Sequence, residues 1–169
     1  MQKNAIRNAV LFLLVAAAGA AGAIAAAPVP AFDATGEVVN GLRLDLSAVA
    51  RPDGQPKLRI QITNAGDAPL DLPDRAPLFL EVAGADGRWQ SYQHPAWRSD
   101  KLGKAIRFER GHSESESEAV SAFAALAPGQ YKVRVGMSLD AGMLSGYAEK
   151  NLWTGIVRSN IVTITIPGK

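Results

Sequence analysis

The sequence predicts an all-β fold, a sandwich of seven or eight short strands, and three features support this. Apolar and polar residues alternate with a period of two in several segments. Such alternation places one face of a strand in a core and the other in water. Clusters of turn-forming residues separate the segments, and no long amphipathic helical pattern follows residue 36. Short strands divided by regular turns are typical of a sandwich.

The individual strands follow from this alternation. In chain order the segments are 42–46, 58–62, 78–82, 88–93, two weaker ones at 106–108 and 116–123, then 131–137 and 156–166. Turn chemistry lies between them in Arg51-Pro52-Asp53-Gly54, in residues 64–69 and in Ala85-Asp86-Gly87. Proline presets φ, and Asp and Gly tolerate left-handed geometry. The strands are therefore predicted to be joined by tight turns.

The last strand contains a change of parity. Val162, Ile164 and Ile166 alternate with threonines, but Val157 has the wrong parity to share their face. One extra residue in a strand shifts its facing. We therefore predict a bulge near Ser159-Asn160.

The first 25 residues predict a signal peptide. Lys3 and Arg7 precede the apolar run Val10–Val15, and Ala23-Ile24-Ala25 fits the small-x-small cleavage pattern. The alternative is a retained membrane anchor, although the compact apolar part is short for a span. The expected organisation is a signal peptide at 1–25, a linker at 26–36 and one sandwich domain at 37–169. We expect a periplasmic or secreted protein with no membrane span after cleavage.

Charge and cysteine content exclude several classes of partner and binding site. The formal charge of +2 equals the contribution of Lys3 and Arg7, so the mature chain is neutral overall. A neutral chain has no global field to attract nucleic acid, which argues against that partner. The sequence has no cysteine, which excludes disulfides, thiolate metal sites and a lipid attached to an N-terminal cysteine. The fold must depend on its apolar core.

Three stretches resemble exported bacterial immunoglobulin-like domains. Leu126-Ala127-Pro128-Gly129-Gln130-Tyr131 resembles the tyrosine corner of Greek-key sandwiches, in which the tyrosine bonds back across the corner. Residues 58–69 resemble the second strand and its following turn, and residues 153–160 with the Val162 strand resemble the end of such domains. The resemblance implies a Greek-key, fibronectin type III-like sandwich, with Pro128, Gly129 and Tyr131 in structural roles. It implies no particular activity.

Catalysis and metal binding receive little support. Gly142-Met143-Leu144-Ser145-Gly146 places its serine one position too late for a nucleophile elbow. No His-x-x-x-His pair is present, so zinc is unsupported. A copper site would have to draw on His94, His112, Met137 and Met143, but Met137 is predicted to face the core. We expect a protein that is not an enzyme and holds no cofactor or metal.

Two charged stretches have competing interpretations. Glu114, Glu116 and Glu118 alternate with serines, which favours a solvated edge strand over a calcium site. A basic stretch precedes them and is a candidate contact for a polyanion such as a lipid phosphate or an acidic glycan. Its members are Arg98, Lys101, Lys104, Arg107 and Arg110. The alternative is that these basic residues pair with the glutamates across neighbouring strands.

The connection between the last two strands is the leading candidate site. It is long for a hairpin, and long ordered loops are often functional. Its apolar residues are Met143, Leu144, Tyr147, Leu152 and Trp153. They either anchor a partner or fold back to cap the open end of the sandwich.

Two functions follow from this connection. The leading hypothesis is an exported adaptor that binds an unknown envelope protein through this loop. The alternative is a carbohydrate or cell-wall binding module, which needs Tyr147, Trp153 or the pair Trp89 and Trp97 exposed as a platform.

Overall fold

Eleven strands and one 3₁₀ turn make up the described part of the chain, which in this computed structural model comprises residues 35–52, 54–74, 77–94, 104–144 and 152–168. The predicted signal peptide lies outside these residues. The strands are β1 Val38–Val39, β2 Leu42–Ala50, β3 Pro56–Asn64, β4 Leu70–Pro73, β5 Leu78–Ala83, β6 Trp89–Gln93, β7 Ala105–Phe108, β8 Ser113–Ala119, β9 Gly129–Leu139, β10 Gly155–Arg158 and β11 Val162–Ile166. The 3₁₀ turn is Val120–Ala122.

Two sheets and a ribbon organise these strands. The first sheet has the order β1-β2-β3-β8, and the second has the order β10-β9-β5-β6, with β11 also paired to β9. The strands β4 and β7 form a separate two-stranded ribbon. Every pairing between these strands is antiparallel. The all-β sandwich predicted from the alternation is confirmed, with eleven strands among the described residues where seven or eight were expected.

The core lies between the two sheets. The predicted inward residues of the first sheet, including Leu44 and Ile60, are fully buried, as are Leu80 and Val135 from the second. Burying one such side chain contributes about 1.5–3 kcal/mol. In a chain without cysteine, this apolar contact is what joins the sheets.

Strand β5 departs from the predicted one-sided burial, because all six of its residues are buried. Leu78, Leu80 and Val82 face the core as expected. The other face carries Phe79 and Glu81, and Phe79 lies across Gly136, where an added Cβ would be only 2.2 Å from its ring. Glycine at position 136 therefore makes room for the aromatic ring on the outer face.

The predicted bulge is confirmed by the register along β9. Arg158 pairs with Gly136, and Val162 pairs with Val133. Residues 159–161 therefore oppose only two residues of β9, and the facing changes by one position. The Ser159 N–H donates to the Val135 carbonyl at 2.8 Å, and the Val135 N–H donates to Ser159 Oγ at 3.0 Å. As a result Val157 and Ile164 are both buried.

Asn160, within the bulge, links the second sheet to the first. Its Oδ1 accepts the Leu46 N–H at 2.8 Å, and its Nδ2 donates to the Leu46 carbonyl at 2.9 Å. Strand β1 pairs only with Leu42 and Arg43, so it does not cover this part of β2. The Asn160 amide thus takes the place of a neighbouring strand at Leu46.

Replacing Asn160 with alanine is expected to destabilise the protein by about 2–4 kcal/mol, because two backbone groups of Leu46 would lose their partner. The measurement is urea unfolding of the parent and of N160A. Thr165→Ala, an exposed change on β11, serves as the control and is expected to stay within about 0.5 kcal/mol. Equal stability of N160A and T165A would contradict the bridging role.

Candidate ligand-binding face

The outer face of the second sheet presents one continuous row of side chains. Thr163 pairs with Lys132, Lys132 with Ala83, and Ala83 with Trp89. Directly paired residues of antiparallel strands project on the same side of the sheet. The row one position along, which contains Val82 and Val133, faces the core, so the Thr163–Trp89 row faces outward.

An open groove of about 680 Å³ runs along this row. We call it the outer groove, and its lining residues are Ala83, Gly84, Ala85, Gly87, Trp89, Gln130, Tyr131, Lys132, Ile161 and Thr163. Trp89 is 37% exposed and Ile161 is 50% exposed. Ile161 belongs to the bulge, so the change of register that closes the sandwich also places this side chain at the groove.

Arg134 lies on the same face and holds Trp89. Its guanidinium carbon is 4.5 Å from the centroid of the Trp89 ring. Its Nε donates to Glu81 Oε2 at 2.5 Å, and Arg158 Nε donates to the same oxygen at 3.1 Å. A guanidinium above an indole ring is attracted by the ring quadrupole. Arg134 therefore fixes the indole in place while its own position is fixed by Glu81.

Glu81 is the electrostatic centre of this network. Burial opposes its ionisation, but the hydrogen bonds and positive charges of Arg158 and Arg134 outweigh burial and lower its pKa below the usual value. The carboxylate is therefore ionised at neutral pH and binds both arginines. Two guanidinium groups and one carboxylate leave this part of the face with a positive charge.

The tyrosine corner predicted around Tyr131 borders the outer groove. The Tyr131 hydroxyl donates to the Ala127 carbonyl at 3.0 Å. That bond crosses Pro128 and Gly129, the corner residues, in the manner of a tyrosine corner. Tyr131 thus holds the start of β9, the strand that supplies Gln130 and Lys132 to the groove.

Trp153 is buried in the core. The sequence allowed it either to anchor a partner or to cap the open end of the sandwich, and in the described residues it caps the sandwich. It is 4% exposed, and its Nε1 donates to the Val39 carbonyl at 2.9 Å. Its backbone N–H donates to the Asp71 carbonyl, next to a parallel bridge between Asp71 and Leu152. Trp153 is therefore not an exposed platform, because its indole fills the end of the sandwich between β1 and β4.

The other candidate apolar residues that the structure describes in this loop are not exposed either. Leu144 packs against the core, and Met143 and Leu152 are half-buried. The Met143 N–H donates to Asp140 Oδ1 at 2.9 Å, as part of a local turn. Tyr147 lies outside the described residues.

The described part of the basic stretch is largely paired. Arg98 and Lys101 lie outside the described residues, while Lys104, Arg107 and Arg110 are exposed. Arg107 Nε lies 2.9 Å from Glu109, and Arg110 lies 3.3 Å from Asp67. The alternative pairing of the basic stretch with the glutamates of β8 across neighbouring strands is not seen among the described residues, because β7 pairs with β4 and β8 pairs with β3. Exposed ion pairs of this kind contribute little to stability.

The glutamates of β8 lie on an edge strand, as predicted, and share a face of the sheet with core residues of β3, where Glu116 and Glu118 are half-buried and Glu114 is exposed. Glu114, Glu116 and Glu118 pair with Ile62, Ile60 and Leu58, whose side chains face the core. Inward-pointing charges prevent another strand from adding to an edge. Glu114 and Glu116 border a small cavity of about 90 Å³ between β8 and the β4–β7 ribbon, lined mainly by Ile62, Leu72, Ile106 and Phe108.

The two histidines flank this row of glutamates. His112 Nε2 lies 3.3 Å from Glu114, and His94 Nε2 lies 4.0 Å from Glu118. His94 also packs edge-on against Phe123, and His112 against Phe108. Met137 is fully buried. Within the described residues, no three His, Cys, Asp or Glu side chains are grouped to hold a metal ion.

Glu116 is the residue of this row whose ionised form the fold destabilises. Among the described residues its buried Oε1 has no hydrogen-bond partner. Burial, followed by repulsion from Glu118 and Glu114, raises its pKa above the ordinary value of 4.5. The fold therefore favours the protonated form, and this contribution to stability is fully present below the unfolded-state pKa. It is lost as the pH rises through the raised pKa of the folded state.

Glu116→Gln is expected to stabilise the protein at neutral pH relative to the parent, and the advantage should shrink as the pH falls. A neutral amide cannot carry the charge that the cavity disfavours. Urea unfolding at a series of pH values measures the difference, with the exposed Glu109→Gln as a control that should not reproduce it. Parallel stability profiles for the parent and E116Q would show that Glu116 ionises without cost.

Comparisons with known proteins add no functional assignment. No family model matches the chain, and no curated protein matches it. Among solved structures, a Bordetella pertussis protein provisionally identified as ApaA aligns at 12% identity and a TM-score of 0.46. The alignment covers 76% of this chain and 95% of that one.

No helix among the described residues has the length and apolar character needed to cross a membrane.

Proposed function

We propose that this protein binds carbohydrate in the outer groove and acts without catalysis. The observation that carries the proposal is the position of Trp89 at the rim of an open groove that also contains Gln130, Lys132 and Thr163. An indole offers a flat apolar surface for the C–H face of a sugar ring. The neighbouring amide, ammonium and hydroxyl groups supply hydrogen bonds for the sugar hydroxyls.

The shape of the groove suits a chain of sugars. Its floor consists of paired strands, which hold their side chains more rigidly than loops do. The hairpin at one side contributes Gly84, Ala85 and Gly87, and residues with at most one side-chain carbon allow a ligand to approach the backbone closely. Ordered side chains on a rigid floor reduce the entropy lost on binding.

The adaptor hypothesis based on the loop after β9 receives less support. Its largest anchor was Trp153, and the burial of that indole removes the surface that a partner would contact. Trp89 was one member of the alternative aromatic platform, and its exposure favours the carbohydrate module. A periplasmic or secreted location, where cell-wall glycans occur, belongs to the same proposal.

Binding without hydrolysis is the proposed activity, because the groove holds no acid pair. Glycoside hydrolysis uses two carboxyl groups on either side of the scissile bond. Among the described residues that line the groove, none is an aspartate or a glutamate. The glutamates of β8 belong to the first sheet, whereas the groove lies on the second.

Trp89→Ala is expected to weaken carbohydrate binding at least tenfold, which corresponds to about 1.4 kcal/mol. A glycan array identifies the oligosaccharide, and isothermal titration calorimetry then compares the parent with W89A. Ile156→Ala is the matched control, because Ile156 is an exposed residue of β10 that does not line the groove. It should bind as the parent does.

Three results would overturn the proposal. They are the absence of binding to any glycan, equal binding by W89A and the parent, or a protein partner that binds the parent and is lost in W89A. The last result would assign the outer groove to protein recognition instead.

A further inference from the structure

The described residues that line the outer groove carry a positive charge and no negative one. Lys132 is the charged residue in the groove lining, and it is exposed. Its direct neighbours across the sheet, Ala83 and Thr163, are neutral. Within the described residues Lys132 forms no salt bridge. Its positive charge is therefore available to a ligand lying in the groove.

The nearby carboxylates are engaged elsewhere. Glu81 binds Arg134 and Arg158, which leaves that cluster with a positive charge. Asp86, in the hairpin that borders the groove, accepts the Arg88 N–H at 3.1 Å. Glu37 accepts the Arg158 backbone N–H at 2.9 Å. Each carboxylate is thus directed to a protein group.

Arg134 reinforces the positive charge of Lys132. The two residues lie on the same face of β9, two positions apart, which corresponds to about 7 Å along a strand. Arg134 uses its Nε for Glu81, and among the described residues its two Nη groups donate no hydrogen bond. Lys132 therefore lies in the row that leads to Trp89, and Arg134 places a second cation against the Trp89 ring.

From this arrangement we propose that the preferred ligand is an acidic glycan, whose carboxylate or phosphate group contacts Lys132 while a sugar ring packs on Trp89. This inference rests on the carbohydrate-binding function proposed above and names the substrate class. An ammonium group recognises either anion as a point charge, without the fixed geometry of a guanidinium. Both acids are therefore candidates, and the choice between them is made by experiment.

The experiment compares ligands that differ only in charge. One pair is an oligogalacturonide and its methyl ester, and the other is a phosphorylated oligosaccharide and its dephosphorylated form. Calorimetry on the purified protein is expected to show at least tenfold tighter binding of one acidic member than of its neutral counterpart. Raising the salt concentration should weaken the acidic ligand selectively, because salt screens an exposed charge.

Variants then assign the preference to Lys132. Lys132→Gln should reduce the affinity for the acidic ligand to that for the neutral one, whereas Lys132→Arg should retain the preference. Thermal unfolding checks that both variants remain folded, as expected for changes at an exposed side chain. A charge preference that survives in K132Q would overturn the assignment.

The outcomes separate this inference from the proposed function. Equal affinity for acidic and neutral ligands, with both lost in W89A, would leave carbohydrate binding in place and reject the acidic class. Binding of none of the four ligands, together with a blank glycan array, would reject both. Tight binding of both acids, with neither neutral form bound, supports the inference for carboxylate and phosphate alike.

Discussion

The extra residue in the last strand is the constraint on which the rest of the structure depends. Residues 159–161 oppose two residues of β9, and this single insertion has three consequences. It buries both Val157 and Ile164, although their parities differ. It directs the Asn160 amide to the backbone of Leu46, on the edge of β2 that β1 does not cover. It also places Ile161 beside the outer groove. Closure of the sandwich and formation of the candidate site therefore share one cause.

Strand β9 connects this constraint to the candidate site. Its inward residues Val133, Val135 and Met137 are fully buried. Its outward residues Lys132 and Arg134 form the positive part of the outer face, so one alternating strand supplies both core and recognition surface. The ion-paired network around Glu81 holds Arg134, and Arg134 holds Trp89. Preorganisation of this kind lets a shallow surface bind selectively, because little conformational entropy is lost when the ligand binds.

The sequence predicted what local parity determines. The alternation at Leu42–Leu46 indicated the buried face of β2, and the odd parity of Val157 indicated the bulge. The alternation in the predicted segment 131–137 likewise puts Lys132 and Arg134 on the face opposite Val133 and Val135. The sequence did not reveal that Phe79 and Glu81 are buried, because they are covered by Arg158 and Gly136, which lie far away in the chain. The inward direction of Glu116 was likewise missed, since it depends on the register between β8 and β3.

The outer groove draws on β5, β6, β9 and β11, and period-two patterns carry no information about which strands become neighbours. For Trp153 the composition of the loop allowed either role, and its burial and its bond to the Val39 carbonyl distinguish them.

The most direct test of the account is to follow the indole N–H signals of the tryptophans by ¹⁵N NMR while an acidic oligosaccharide is added. Recognition on the outer face predicts that the Trp89 indole and the Lys132 amide shift in proportion to occupancy. The Trp153 indole, which donates to the Val39 carbonyl inside the core, should not move. Shifts at Trp153 and the residues around it, with Trp89 and Lys132 unchanged, would contradict the account and return the binding site to the loop after β9.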